Sequence, residues 1–162
     1  MILVLLVNLI LATGKLKKTH FNHQVMFKRE SNVVILDVDN FDAALMRFEV
    51  LLVDFYAPWC PHCQNLMPEF EKAATEFKQK QSIITLGKVD CTHESVLCDE
   101  FQVRGYPTLR IFYHDRIYHY HGDRNAEGII EFMEMHLEQE VEKEQEHQRK
   151  NSQKHKQDQN YP

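Results

Sequence analysis

The run Val50-Leu51-Leu52-Val53-Asp54-Phe55-Tyr56-Ala57-Pro58-Trp59-Cys60-Pro61-His62-Cys63 decides how this chain folds. Its first seven residues are apolar except for Asp54 and are bounded by Pro58, the pattern of a buried central strand. Beyond Cys60, the residues Cys63, Leu66, Met67, Phe70, Ala73, Ala74 and Phe77 follow the spacing of one helical face. A long helix is therefore predicted to pack on a sheet, with a kink at Pro68, which cannot donate back one turn. Two cysteines three positions apart at a strand-to-helix junction can close a small reversible disulfide. That is redox chemistry.

The two sulfurs are not equivalent. Cys60 falls at the first turn of the predicted helix, where unpaired backbone N–H groups and the positive end of the macrodipole favour an anion. It is the predicted nucleophile. Cys63 lies one turn deeper, placed to resolve a mixed disulfide while shielded from substrate. His62 is expected to pair with the Cys60 thiolate when protonated, and Pro61 suits a helix's first turn. Thiols of this pattern span pKa values of roughly 3.5 to 7, and the lower part is expected here, which makes the disulfide form oxidising. The competing reading is half of a structural zinc site, which needs four ligands and usually a second such pair. Cys91 and Cys98 are seven apart rather than three, so no metal is expected.

The remaining pattern alternates strands and helices. Strands are predicted over residues 33–36, 83–89, 108–113 and 117–120, and short helices over 41–47 and 94–101. Ala126, Ile129, Ile130, Met133 and Leu137 form the core face of a last helix. The order implies an α/β fold, a mixed sheet with helices on both faces. Cys91 ends a strand-like run and Cys98 sits in a short helical segment, within disulfide reach. Such a bond would constrain the unfolded chain by roughly 2–3 kcal/mol. Two buried free thiols are the alternative, and a reducing compartment would impose them. By themselves, Asp54 reads as a polar residue on a solvated strand face, Lys88 as a snorkelling surface lysine and Arg124 as a loop charge near a helix start.

Four stretches occur in order: Phe55-Tyr56-Ala57-Pro58-Trp59-Cys60 with Cys63 after it, Lys88-Val89-Asp90-Cys91-Thr92, Val103-Arg104-Gly105-Tyr106-Pro107-Thr108, and Tyr120-His121-Gly122-Asp123-Arg124. Together they resemble the catalytic domain of the protein disulfide isomerase family, over residues 31–138. Where those isomerases usually carry Gly after the first cysteine this chain has Pro61, and Cys-Pro-His-Cys is similar to bacterial periplasmic disulfide oxidases.

The resemblance implies a thioredoxin fold, thiol–disulfide exchange on client polypeptides, and glutathione or a thiol oxidase as redox partner. It implies no cofactor, and a monomer is expected. Pro107 resembles the cis-proline that faces the cysteines, with Tyr106 and Trp59 beside it as the substrate-binding edge. Asp54 resembles the buried carboxylate that takes and returns the Cys63 proton; the family more often has Glu there, and thioredoxins have Asp. Lys88 resembles the lysine that pairs with that acid, and Arg124 the mobile arginine that lowers the resolving thiol's pKa. Some domains of the family resemble this one in a Cys91–Cys98 disulfide. The rival is a redox-weak thioredoxin-fold chaperone or secreted binding module, whose mark would be a lost cysteine or lost cis-proline. Neither is lost.

Composition sets the outer bounds. The chain has 162 residues, 43% of them hydrophobic, room for one domain over residues 31–138 after a linker over 15–30. The net charge of −5, with no basic stripe, excludes a nucleic-acid role. Residues 1–12 are nearly all apolar and Ala12, Thr13 and Gly14 could mark a cleavage site, so residues 1–14 read as a signal peptide. The run is shorter than the about 20 residues a membrane span needs, and no stable span is expected. Lys15, Lys17 and Lys18 follow it, the reverse of the usual signal bias, which keeps an uncleaved anchor as the alternative. No Asn-x-Ser/Thr acceptor occurs, so N-glycosylation is not expected. Residues 139–162 are charged and read as a helix extension fraying into disorder. The chain does not close on a Lys-Asp-Glu-Leu signal, so either residence in the endoplasmic reticulum lumen or secretion is expected. His119 and His121 lie on one predicted strand face, read as solvated, and only His62 is assigned to the mechanism.

Overall fold

The computed structural model describes residues 26–158; the predicted signal peptide, most of the predicted linker and the last four residues lie outside them. In chain order the elements are β1 (Arg29–Glu30), β2 (Val33–Leu36), α1 (Phe41–Arg47), β3 (Val50–Tyr56), α2 (Pro61–Gln79), β4 (Ile84–Asp90), α3 (Ser95–Glu100), β5 (Thr108–Tyr113), β6 (Arg116–His119) and α4 (Ala126–Asp158). The strands form one six-stranded sheet in the order β1-β2-β4-β3-β5-β6. β4 runs parallel to both β2 and β3, while β5 and β6 are antiparallel, which is the mixed sheet the alternation predicts.

β3 is continuous in apolar residues because it is paired along both edges and covered on both faces. On one face α2 and α4 close a core in which Leu52, Leu66, Phe70, Phe77, Ile111, Ile129 and Met133 are buried. On the other, α1 and α3 cover Leu51, Val53, Phe55 and Phe112. The rings there interlock, with Phe41 at 5.0 Å from Phe101 and 5.4 Å from Phe112. β2, β3 and β4 being parallel, their carboxyl ends open at one end of the sheet, where ligand crevices of such sheets form. The first turn of α2 starts there.

Three differences from the sequence reading have physical causes. β1 escaped detection because two residues carry no periodicity; it exists only through its pairing with β2. The last hairpin is tighter than expected: Tyr113 pairs with Arg116 across His114 and Asp115, with His114 at φ 52°, so β6 starts one residue earlier. α4 continues without a break beyond residue 138. One turn past its apolar face, Glu140 is 1% exposed, accepts the Tyr118 hydroxyl, and is paired with Arg116 at 2.9 Å and Lys143 at 2.6 Å. This polar clasp ties the helix to the edge hairpin. It is invisible to a search for apolar spacing.

The face beneath α2 carries most of the fold's close packing, so its largest ring tests that assignment. Phe70→Ala is expected to lower unfolding free energy by about 3–5 kcal/mol in urea denaturation; a loss below about 1 kcal/mol would mean that α2 is not seated on the sheet as described.

Candidate active site

Cys60 is the N-cap of α2, with φ −79° and ψ 120°, and Pro61 opens the helix where its missing N–H costs nothing. The Cys60 N–H donates to the Ala57 carbonyl at 3.0 Å, and its own carbonyl accepts from the Gln64 N–H at 3.0 Å. Its sulfur therefore hangs in front of the helix's unpaired N–H groups. The Cys63 peptide N–H holds the Cys60 thiol below its ordinary range, against the cost of burial, with the Cys63 thiol and the His62 peptide N–H adding to the effect. Cys63 faces inward and is 1% exposed. Burial pushes its thiol up to about 12, and the Cys60 thiol and the Asp54 charge push the same way. Both cysteines are free thiols here. One is prepared to be an anion and the other is not.

The His62 ring is expected to pair with the Cys60 thiolate when protonated. The residue is exposed, and among the described residues its imidazole makes no hydrogen bond to Cys60. Neighbours two apart on a helix point in different directions, and it is the His62 peptide N–H that helps to hold the Cys60 thiol down.

The Tyr106–Pro107 peptide is cis, as the resemblance implies. Pro107 is buried, and the Tyr106 carbonyl accepts the Cys60 S–H at 3.5 Å. Trp59 is 68% exposed and meets the Tyr106 ring edge-on with centroids 6.0 Å apart. A thiol, an open backbone edge and an exposed indole thus share one rim.

Beneath the cysteines, Asp54 is wholly buried, and among the described residues neither carboxylate oxygen has a hydrogen-bond partner. Burial pushes its carboxyl up to about 7, with the charges of Arg124 and Lys88 opposing. The pairing expected for Lys88 is corrected: Lys88 stands opposite Asp54 in register, yet its ammonium is bound to the Glu30 carboxylate at 2.6 Å and lies 5.9 Å from the centre of the Tyr56 ring. Glu30 is half-exposed at the sheet edge and keeps its charge at less desolvation cost than Asp54 would. The sequence reading missed Glu30 because it placed that residue in a linker. Arg124 donates to the Pro107 carbonyl at 3.4 Å, and its charge opposes the rise of the Asp54 carboxyl.

The Cys91–Cys98 disulfide is formed, with Cα atoms 5.8 Å apart, and the Cys91 N–H donates to the Tyr56 carbonyl at 2.9 Å. It braces the strand end that leads into the active-site loop. Next to Pro107 opens a polar cavity of about 320 Å³ bordered by Arg110, Tyr120, His121 and Arg124. His119 and His121 do stack, with centroids 5.9 Å apart, but Arg110 donates to the His119 ring at 2.6 Å. No group of three or more metal-ligating side chains stands together among the described residues.

A low-pKa thiol at a helix N-terminus, a high-pKa thiol one turn deeper, a buried carboxyl below and a cis-proline edge alongside define the class of dithiol proteins built on the thioredoxin fold. The thioredoxin family model matches residues 32–135, and the chain belongs to that family. It is 47% identical to human Protein disulfide-isomerase A4 over 100 residues, 62% of this chain and 16% of the relative. It is 48% identical to the probable protein disulfide-isomerase ER-60 of Schistosoma mansoni over 110 residues, 67% of this chain and 23% of the relative. The chain thus spans about a sixth to a quarter of the length of these curated relatives. Among solved structures it is similar to the first thioredoxin domain of mouse Protein disulfide-isomerase A4, with TM-score 0.60 and 37% identity, covering 67% of this chain and 77% of that one.

Asp54 couples the site to stability. Its unfolded value is about 4 and its folded value about 7, so between these the folded chain holds a proton that unfolding releases, and stability falls as pH rises through the window. Asp54→Asn is expected to flatten that decline when urea midpoints of the reduced protein are compared from pH 4 to pH 8. Parallel wild-type and variant curves would show Asp54 to be ionised in the fold throughout.

Proposed function

We propose that this chain is a thiol–disulfide oxidoreductase of the protein disulfide isomerase type, which forms, reduces or rearranges disulfides in client polypeptides. The difference between the two active-site thiols carries this reading, since exchange needs one sulfur that is an anion at neutral pH and one that becomes an anion only on demand.

In the oxidising direction a client thiolate attacks Cys60 of the Cys60–Cys63 disulfide, and Cys63 leaves and takes the Asp54 proton. A second client thiolate then attacks the client sulfur of the mixed disulfide, and Cys60 leaves as a thiolate that the helix N-terminus stabilises. The client gains one disulfide and the site is left as a dithiol. In the reducing direction the Cys60 thiolate attacks a client disulfide, the Asp54 carboxylate withdraws the Cys63 proton, and Cys63 attacks Cys60 to release the client as a dithiol. Pro61, at the first helical position, and the His62 peptide N–H set how comfortable the Cys60 anion is. Trp59, Tyr106 and Pro107 supply the rim along which an extended client segment lies.

Glutathione or a thiol oxidase resets the site, and a single copy of the chain suffices for every step. The Cys91–Cys98 disulfide suits an oxidising compartment, the endoplasmic reticulum lumen or the outside of the cell, and a cleaved leader over residues 1–14 would deliver the chain there. Residues 31–138 form the working domain, with 139–162 as its polar tail.

Insulin reduction by glutathione and oxidation of a model dithiol peptide test the reading. Cys60→Ser is expected to reduce both rates to the uncatalysed background, whereas Cys63→Ser should accumulate a mixed disulfide with the client. Equal rates for wild type and Cys60→Ser would remove the activity.

A further inference from the structure

Lys88 is the one cation on the strand next to Asp54, and it is turned away from it. The two residues stand directly opposite on β4 and β3, strands about 4.8 Å apart. The Lys88 stem is long enough for its ammonium to reach the Asp54 oxygens, both of which lack a hydrogen-bond partner among the described residues. Instead the ammonium is bound at 2.6 Å by Glu30, from the two-residue edge strand β1, and Lys88 is 7% exposed. A nearly buried lysine has therefore been given to an exposed carboxylate in preference to a buried one that it could also reach.

We infer that Glu30 is a positioning residue of the exchange site: by holding the Lys88 ammonium at the sheet edge it keeps Asp54 unpaired, and so keeps that carboxyl able to pick up and return the Cys63 proton near neutral pH. The inference rests on the oxidoreductase reading above and adds to it a residue that touches neither cysteine nor client.

The electrostatic surroundings make the direction of the effect unambiguous. Asp54 is faced by Cys63 and Cys60 from α2, Lys88 from β4, Arg124 from the loop before α4 and Tyr56 from its own strand. Its β5 neighbour, Leu109, is apolar. Lys88 in turn is faced by Glu30 and by the Tyr56 ring, and Glu30 also feels Lys28. Arg124 is committed to the Pro107 carbonyl. Lys88 is thus the cation whose allegiance can change. With Glu30 neutralised, a positive charge is released beside Asp54, and whether the ammonium swings across or stays in place, the carboxylate form of Asp54 gains. An Asp54 held as a salt-bridged anion is a weaker base toward Cys63 and a poorer proton donor to it.

The test is the pH dependence of the rate at which Cys63 resolves a mixed disulfide between Cys60 and a model peptide thiol, measured for wild type, Glu30→Gln, Lys88→Met and the double variant. Glu30 is half-exposed, so Glu30→Gln is expected to fold, and a carbon-13 titration of the Asp54 carboxyl gives a reading in any folded variant whether or not it turns over. Glu30→Gln is expected to move the acid limb of the profile, and the Asp54 titration with it, downward by about one pH unit. In the Lys88→Met background the same change should move neither. Coincident wild-type and Glu30→Gln curves would overturn the inference, as would a downward shift of equal size with Lys88 replaced. If wild type itself resolves no mixed disulfide, the oxidoreductase reading falls and this inference with it; if wild type resolves it and only the Glu30→Gln shift is missing, Glu30 alone loses its role.

Discussion

The meeting of the α2 N-terminus with the carboxyl end of β3 is the constraint on which the site depends. A helix cannot pair its first N–H groups internally, and here those groups converge on the Cys60 sulfur at the N-cap. The convergence is held from both sides. β3 is paired with β4 from Val50 to Tyr56 and with β5 from Val50 to Phe55, and α2 is seated on the sheet through Leu66, Phe70 and Phe77. The large apolar core thus does more than stabilise the fold. It fixes the position and direction of a small set of dipoles at Cys60 and buries Cys63, and the two effects together separate the thiols.

The same core works on Asp54 in the opposite sense. An ionised carboxylate gains most from water and donors, and this one is wholly buried with no hydrogen-bond donor among the described residues. It is held near the point where gaining or losing a proton costs little, which is what a proton carrier beneath a buried thiol needs. Charge management at the periphery follows from that requirement. Arg124 is tied to a backbone carbonyl and Lys88 to Glu30, so that both cations are close enough to be felt by Asp54 and neither neutralises it by contact. The Cys91–Cys98 bond and the cis peptide at Pro107 frame the opening, one behind the strand end and the other beside the sulfur.

Much of this was legible in advance because it is written in local signals. The apolar run of β3, the helical spacing of α2 and the paired cysteines at their junction are all short-range patterns, and α1 and β3 were read to the residue. Signals that depend on distant partners were not legible. β1 is a strand only because β2 lies next to it, and Glu30 acts only because β1 brings it within reach of a lysine 58 positions away. Glu140 likewise looks like any acid of a solvated helix until the hairpin residues Arg116 and Tyr118 close over it. His62 shows the converse case: adjacency in sequence suggests a side-chain partner for Cys60, and in the fold the residue is exposed while its peptide N–H helps to lower the thiol.

Residue types and their spacing by themselves determined the fold class, the cysteine pair at a helix start and which of its sulfurs is favoured as an anion, because hydrophobic periodicity and the position of a helix start are properties of consecutive residues. The tertiary structure alone decided where the charges around the site go. Coulomb interactions depend on distance and burial, which the chain order does not contain, so only the folded sheet could show that Lys88 belongs to Glu30, that the Arg124 charge is felt by Asp54, and that the buried carboxyl stands without a hydrogen-bond partner among the described residues.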